Sequence, residues 1–258
     1  MSGERYRGRL DHIAAVAAEA GFPGLEPEVT MLGRDREPEH LSSVLREHRL
    51  ELAALALAEE WRRPRESEAE RSETDEIIAL LSRFPDARLV LVQLPWEDRS
   101  DLAERQRAAI ACMNAVARRA LDAGVRPTVH PNSPPGSLFR TADDYELLLD
   151  RLDAGVGFTP DLGHVAAGGM DPLETVMRYR DRVDHLHLKD LDAQDAWAPT
   201  GAGRLDFPAV VSALVRTGYD GWVVFEDESE DARRDPDGAT RRNGAYAREV
   251  LLPALARA

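Results

Sequence analysis

Helix-like and strand-like stretches alternate along this chain, and that alternation limits the architecture more than any single motif does. Residues 10–21 (LDHIAAVAAEAG) carry apolar residues at helical spacing, and the short extended stretch FPGLEPE follows. The same grammar repeats. Helix-patterned residues 38–49 lead into LELAALAL, residues 68–83 into ARLVLVQL, and residues 99–124 into VRPTVH. Residues 141–152 then lead into VGFTPD, 171–180 into RVDHLHLK and 205–218 into GWVVFED, before a last helix over about 240 to 255. Short strands separated by helices pair in parallel through right-handed crossovers, which predicts an α/β barrel or a doubly wound sheet. Seven strands, about eight helices and no G-x-G-x-x-G after the early strands favour a (β/α)8 TIM barrel. The opening MSGERYRGR has no apolar run, so the barrel is expected to be incomplete or degenerate at its first strand. No Pro/Gly/Ser-rich linker interrupts the series, so residues 1–258 read as one domain.

Charge and cysteine usage narrow the partners. With 47 acidic against 33 basic residues the net charge is −14, which repels nucleic acid and anionic membrane surfaces. No stretch approaches the roughly 18 apolar residues of a membrane span, and the first residues are too polar for a signal peptide. The single cysteine, Cys112, has no internal disulfide partner and reads as a small buried residue in a reducing compartment. A cytoplasmic location is expected, with self-association into a homo-oligomer left open.

Working residues of such a barrel lie where strands end, so polar residues closing apolar runs are the candidates. They are Glu26, Gln93, His130 (followed by Pro131 and Asn132), Asp161 with Gly163 and His164, the alternation His185-x-His187-x-Lys189, and Glu226, Asp227 and Glu228. Residues two apart on a strand share a face, so Leu186 and Leu188 go toward the helices and the His/His/Lys face goes into the lumen. His130, Asp161, His187 and Glu226 together offer two imidazoles and two carboxylates, a set suited to Mn²⁺, Co²⁺, Fe²⁺, Mg²⁺ or Zn²⁺, with manganese favoured. Asp161 and Glu226 have a plainer reading as caps of the following segments. Lys189 is the only lysine among 33 basic residues. A lysine is ordinarily a solvated surface residue, but a compact ammonium beside a metal can polarise an oxyanion or move a proton. Of four tryptophans, Trp96 and Trp197 fall in loops at the barrel mouth and are candidates for stacking on a sugar ring; Trp61 and Trp222 read as packing.

At GFPGLEPE, DLGHVAAGGMDP, HLHLKD, GAGRLDFPAVVSAL and GYDGWVVFEDE the sequence resembles the xylose-isomerase-like superfamily of sugar isomerases, epimerases and inosose dehydratases, over nearly the whole chain. The resemblance implies a divalent metal held by Asp161, His187 and Glu226, with His164 as a contact to a substrate hydroxyl. It also implies a fourth ligand from the fifth strand, where sugar epimerases have glutamate before proline. This chain has His130 before Pro131, so one of the two carboxylates that trade protons across the substrate is missing. HLKD and the AGG-x-DP loop look more like the inosose dehydratase branch.

The function expected on these grounds is a metal-dependent isomerase or epimerase that removes the proton α to the carbonyl of a keto-sugar or cyclitol. Glu226 or His130 is the expected base and Lys189 or His164 the acid; His164, His185, Glu26 and Trp96 are expected to contact substrate. The rival within enzymes is a β-eliminating lyase resembling inosose dehydratase. A metal-dependent abasic-site nuclease on the same fold would need a D-x-H where this chain has GAGRLDF. A noncatalytic barrel subunit is the remaining class.

Overall fold

A computed structural model describes residues 6–33 and 36–256. The helix α1 (Leu10–Ala20) stops at Gly21, whose φ of 85° places its N–H on the carbonyls of Ala17 and Ala18. Extended chain follows as β1 (Gly24–Leu25), and after α2 (Pro38–His48) come β2 (Glu51–Leu52) and β3 (Ala54–Glu59). The helix α3 (Glu68–Leu81) begins with a capping box in which Ser67 and Glu70 satisfy each other's backbone N–H. Next come β4 (Arg88–Gln93), α4 (Leu102–Asp122), β5 (Arg126–Val129), α5 (Ala142–Arg151) and β6 (Gly157–Phe158). The chain continues through α6 (Leu162–Ala167), α7 (Pro172–Arg178), β7 (His185–Leu188), a hairpin of β8 (Asp190–Leu191) and β9 (Trp197–Ala198), α8 (Phe207–Val215) and β10 (Trp222–Phe225). It closes with α9 (Glu230–Arg234), α10 (Pro236–Tyr246), a π-helical turn over Ala247–Leu251 and α11 (Leu252–Leu255).

The strands follow one another in parallel. β1 pairs with β2, and a bridge from Glu28 to Ala56 carries the pairing onto β3. The order β3-β4-β5-β6 is a continuous ladder, and bridges Phe158–Val183 and Asp161–His187 carry it to β7, which pairs with β10. Leu55, Leu57, Leu89, Leu91, Leu186 and Leu188 are all buried against the helices, so the lumen receives the alternate residues. This TIM barrel has seven parallel strand positions among the described residues, counting β2 and β3 as one.

At the seam between β10 and β1 the barrel meets through side chains. The Trp222 ring lies where a Cβ on Gly24 would come within 2.7 Å, so only glycine lets the two strands approach, and Phe22 packs on Phe225 with ring centroids 5.6 Å apart. Outside the seam, α10 lies on α1, and Arg248 donates to the Ala20 carbonyl. Residues 6–9 form no strand; residues 1–5, the rest of the expected first-strand region, lie outside the described residues.

The sequence reading departs from the structure where elements are short. The run 50–57 is broken at Ala53 and extends to Glu59, and the last helix begins at Pro236 rather than near 240. The short helices α6 and α9 and the β8–β9 hairpin have no apolar period to reveal them. Local caps hold both helices: Asp161 accepts from the His164 N–H, and Ser229 from the Ala232 N–H.

Candidate active site

Four side chains from four successive strand ends converge. His130 follows β5, Asp161 follows β6, His187 lies in β7 and Glu226 follows β10, and one ligand atom from each falls within 4.8 Å of all the others. Backbone pairing sets this. The His130 N–H bonds the Leu91 carbonyl, the His187 N–H the Pro160 carbonyl and the Glu226 N–H the Leu188 carbonyl, each at 3.0 Å.

Two of the converging atoms lack hydrogen-bond partners although they are buried. Asp161 gives Oδ1 to the His164 N–H at 2.8 Å and leaves Oδ2 unpartnered, 3.6 Å from His130 Nε2, which is also unpartnered. His130 Nε2 stands 3.5 Å from Glu226 Oε2, which in turn lies 2.8 Å from His187 Nδ1. Unpaired buried polar atoms aimed at one point, of mixed imidazole and carboxylate character, fit a divalent cation.

Lys189 lies beside this group, 1% exposed. Its Nζ donates to Glu226 Oε1 at 2.6 Å and to His164 Nε2 at 3.0 Å, lies 3.3 Å from Glu228 Oε2, and is 5.0 Å from the Trp197 ring. Burial alone would lower its pKa, but Glu226, Asp161 and Glu228 more than offset that and hold the ammonium charged. Burial would likewise raise the carboxyls of Asp161 and Glu226, but Lys189 first and then the neighbouring histidines outweigh it, so both stay ionised. His164 goes the other way: burial and then the Lys189 charge push it down to about 3, so it is a neutral imidazole. Its Nε2 faces Lys189 Nζ, and its Nδ1 lies 2.8 Å from Ser133 Oγ and 3.2 Å from the Ser133 backbone N–H, which donates to it. Burial depresses His187, but Glu26 and Glu226 overcome this and raise it to about 10 in the metal-free protein.

The remaining expected residues are distributed differently. Glu26 and His185 pair with each other at 2.5 Å, with side chains 3% and 0% exposed, so they stand behind the cluster rather than at a surface open to substrate. Trp96 is stacked on Arg105, whose guanidinium carbon is 3.6 Å from the ring centroid, with Arg62 at 4.6 Å. The tryptophan that meets the cluster is Trp197, edge-on to His164 with ring centroids 5.1 Å apart. Asp190, which closes HLHLKD and to which the sequence assigns no role, is a contributor. Its buried carboxylate accepts the N–H groups of Leu191, Gly201, Gly203 and Leu205 at 2.9–3.2 Å, and so fixes the loop behind the hairpin that carries Trp197. The signal was an aspartate following HLHLK together with the close-packing glycines of GAG. No helix is long and apolar enough to cross a membrane among the described residues.

The chain is 29% identical over 137 residues to an inosose dehydratase of Lacticaseibacillus casei, covering 46% of this chain and 45% of that protein. Against an inosose dehydratase of Geobacillus kaustophilus it is 28% identical over 175 residues, covering 60% and 53%. The chain thus spans about half the length of the curated relatives it matches. In three dimensions it resembles D-psicose 3-epimerase of Clostridium cellulolyticum, with a TM-score of 0.76 at 16% identity, covering 95% of each chain. The family profile of the xylose isomerase-like TIM barrel matches residues 14–250, and the chain belongs to that family.

Proposed function

We propose that this protein is a metal-dependent lyase that removes water from an uncharged keto-sugar or keto-cyclitol by β-elimination. The observation that carries this is the placement of base and acid side by side: Glu226 Oε1 and Lys189 Nζ are 2.6 Å apart. Elimination across one face of a ring needs an acceptor for the α proton and, next to it, a donor for the departing hydroxyl. His130, Asp161, His187 and Glu226 would hold the ion. A divalent cation bound there withdraws electron density from a carbonyl and makes the neighbouring C–H more acidic.

Glu226 then takes the α proton, the electron pair forms the carbon–carbon double bond, the C–O bond at the β carbon breaks, and Lys189 protonates the leaving oxygen, releasing water. His164, held neutral by burial and then by the Lys189 charge, has both ring nitrogens engaged by Lys189 and Ser133 and so orients the ammonium. Trp197 and the Asp190-bound loop cover Lys189 and limit its access to bulk water, which strengthens its interaction with developing charge. The resemblance to inosose dehydratases supports the same reaction class.

Epimerisation is the second reading, favoured by His130. Both of its ring nitrogens are without hydrogen-bond partners, which leaves the ring free to carry a second proton. Incubation of metal-loaded enzyme with keto-cyclitols and ketohexoses in heavy water separates the two. Elimination yields a product lacking one water and a conjugated carbonyl absorbance; epimerisation yields an isomer carrying deuterium at the α carbon. No dehydrated product from any member of the panel, with deuterated isomers instead, would replace the lyase reading.

A further inference from the structure

Glu26 has a role that the chemistry above leaves unused. Leu25 faces the apolar core, and the carbonyls of Leu25 and Pro27 accept the N–H groups of Ala53 and Ala56, so the alternation sends residue 26 into the lumen. From there its carboxylate reaches across the seam to both imidazoles of the H-x-H pair. Oε2 lies 2.5 Å from His185 Nε2, and Oε1 lies 3.0 Å from His187 Nε2. The other nitrogen of His187, Nδ1, faces Glu226 and the converging group. A carboxylate only accepts, and a neutral imidazole carries one N–H and one lone pair. His187 thus has a carboxylate on each side, Glu226 hydrogen-bonded at Nδ1 and Glu26 within ion-pair distance of Nε2; with a cation in place of the proton on Nδ1, the N–H is left on Nε2, facing Glu26.

We propose that Glu26 is a positioning residue that holds Nε2–H on both histidines, so that His187 presents Nδ1 to a divalent cation shared with His130, Asp161 and Glu226. This rests on the reading of the site as a metal centre. It explains the first histidine of the pair: His185, with no exposed surface, braces the far carboxylate oxygen and keeps Glu26 from rotating away from His187. The packing of Trp222 on Gly24 and of Phe225 on Phe22 fixes the backbone from which Glu26 projects. Carboxylates behind metal-ligating histidines contribute about 10–100-fold to metal affinity where they have been removed.

Calorimetric titration of the metal-free protein with Mn²⁺ tests the affinity, in wild type, Glu26→Gln and Glu26→Asp. Glu26→Gln is expected to weaken binding about 10–100-fold, and Glu26→Asp, which keeps an accepting carboxylate, to recover part of that loss. Imidazole ¹⁵N spectra of the wild type test the tautomers without any variant. Loaded with diamagnetic Zn²⁺, His187 should carry its proton on Nε2 with the metal on Nδ1, and His185 should be Nε2–H with or without metal. Unchanged Mn²⁺ affinity in Glu26→Gln, or zinc on His187 Nε2, would overturn the proposal.

Glu26, His185 and His187 also lie close enough to hold an ion of their own. Two ions per chain, with one lost in Glu26→Gln, would make Glu26 a ligand and overturn its positioning role. A wild type that takes up neither Mn²⁺ nor Zn²⁺ overturns the metal reading itself, whereas a His185 protonated on Nδ1 in the metal-free protein counts against Glu26 alone.

Discussion

The two sides of this barrel are joined by different forces. From β3 to β6 the strands share a continuous backbone ladder, and their lumen-facing residues are mostly small, with the Thr128–Thr159 hydrogen bond and the Arg88–Asp184 ion pair among them. From β7 through β10 to β1 the ladder is short and then gives way to side chains: an aromatic seam at the bottom and, above it, Glu26 bound to His185 and His187. One side is a scaffold whose strength is burial and backbone hydrogen bonding. The other uses ion pairs to join its strands, and its His187, Lys189 and Glu226 meet His130 and Asp161 from the ladder side at the candidate site. The comparison teaches that a strand missing from the ladder need not open a barrel when its neighbours can meet through glycine, rings and a carboxylate.

The largest effect expected from breaking this division is at Lys189. Lys189→Met removes the ammonium from among Glu226, Glu228 and Asp161, and α-proton exchange or dehydration should fall roughly 10²–10⁴-fold, the range for a general acid or an oxyanion partner. Metal affinity should hold or rise, because a positive charge leaves the neighbourhood of a cation. Rapid-quench turnover beside a metal titration reads both; turnover unchanged in a metal-loaded variant would remove Lys189 from the chemistry. On the scaffold side, Leu55→Ala empties fully buried space outside β3 and should lower stability by about 2–5 kcal/mol. The Mn²⁺ affinity of the variant that remains folded should change by less than about threefold, since well-separated sites act nearly independently. Loss of metal binding in parallel with stability would show that the two sides are not separate.

Most of the scaffold side was legible in the sequence because its signals are periodic. ARLVLVQL and VRPTVH alternate with long helical patterns, and each becomes a ladder strand within a residue or two of the expected bounds. The reactive side was legible for another reason: HLHLK states its face assignment through alternation, and the structure puts the leucines in the core and Lys189 within the lumen cluster. The position of Glu26 was not legible. FPGLEPE marks a strand, but a contact across the seam to residues about 160 positions away follows from the gap between β10 and β1, and nothing local in either segment reports it. Trp96 misled for a similar reason. A loop tryptophan at the mouth has the same appearance whether a sugar or an arginine covers its face, and Arg105 joins it from the following helix.

The smallest expected effect tests whether the scaffold side tolerates an unpaired carboxylate. Glu59 ends β3 on the face it shares with Leu55 and Leu57, 9% exposed, with Oε1 lacking any hydrogen-bond partner. Burial, and then the nearby Glu73 and Glu70, push its carboxyl up to about 7. The unfolded chain ionises such a carboxyl near 4.3, so between about pH 4.5 and 7 the folded protein holds a proton that the unfolded chain has released. Its contribution to stability therefore falls as pH rises through that window and stays low above it. Glu59→Gln keeps the shape and removes the charge. It should match wild type near pH 5 and exceed it by about 1–3 kcal/mol at pH 8, measured by urea unfolding at both values. Glu226→Gln should show no such gain at pH 8, because Lys189 and His187 face that carboxylate and would lose their partner. Glu59→Gln no more stable than wild type at pH 8 would mean that Glu59 has a compensating partner, and that the scaffold side of the barrel accommodates an ionised carboxylate as readily as the reactive side does.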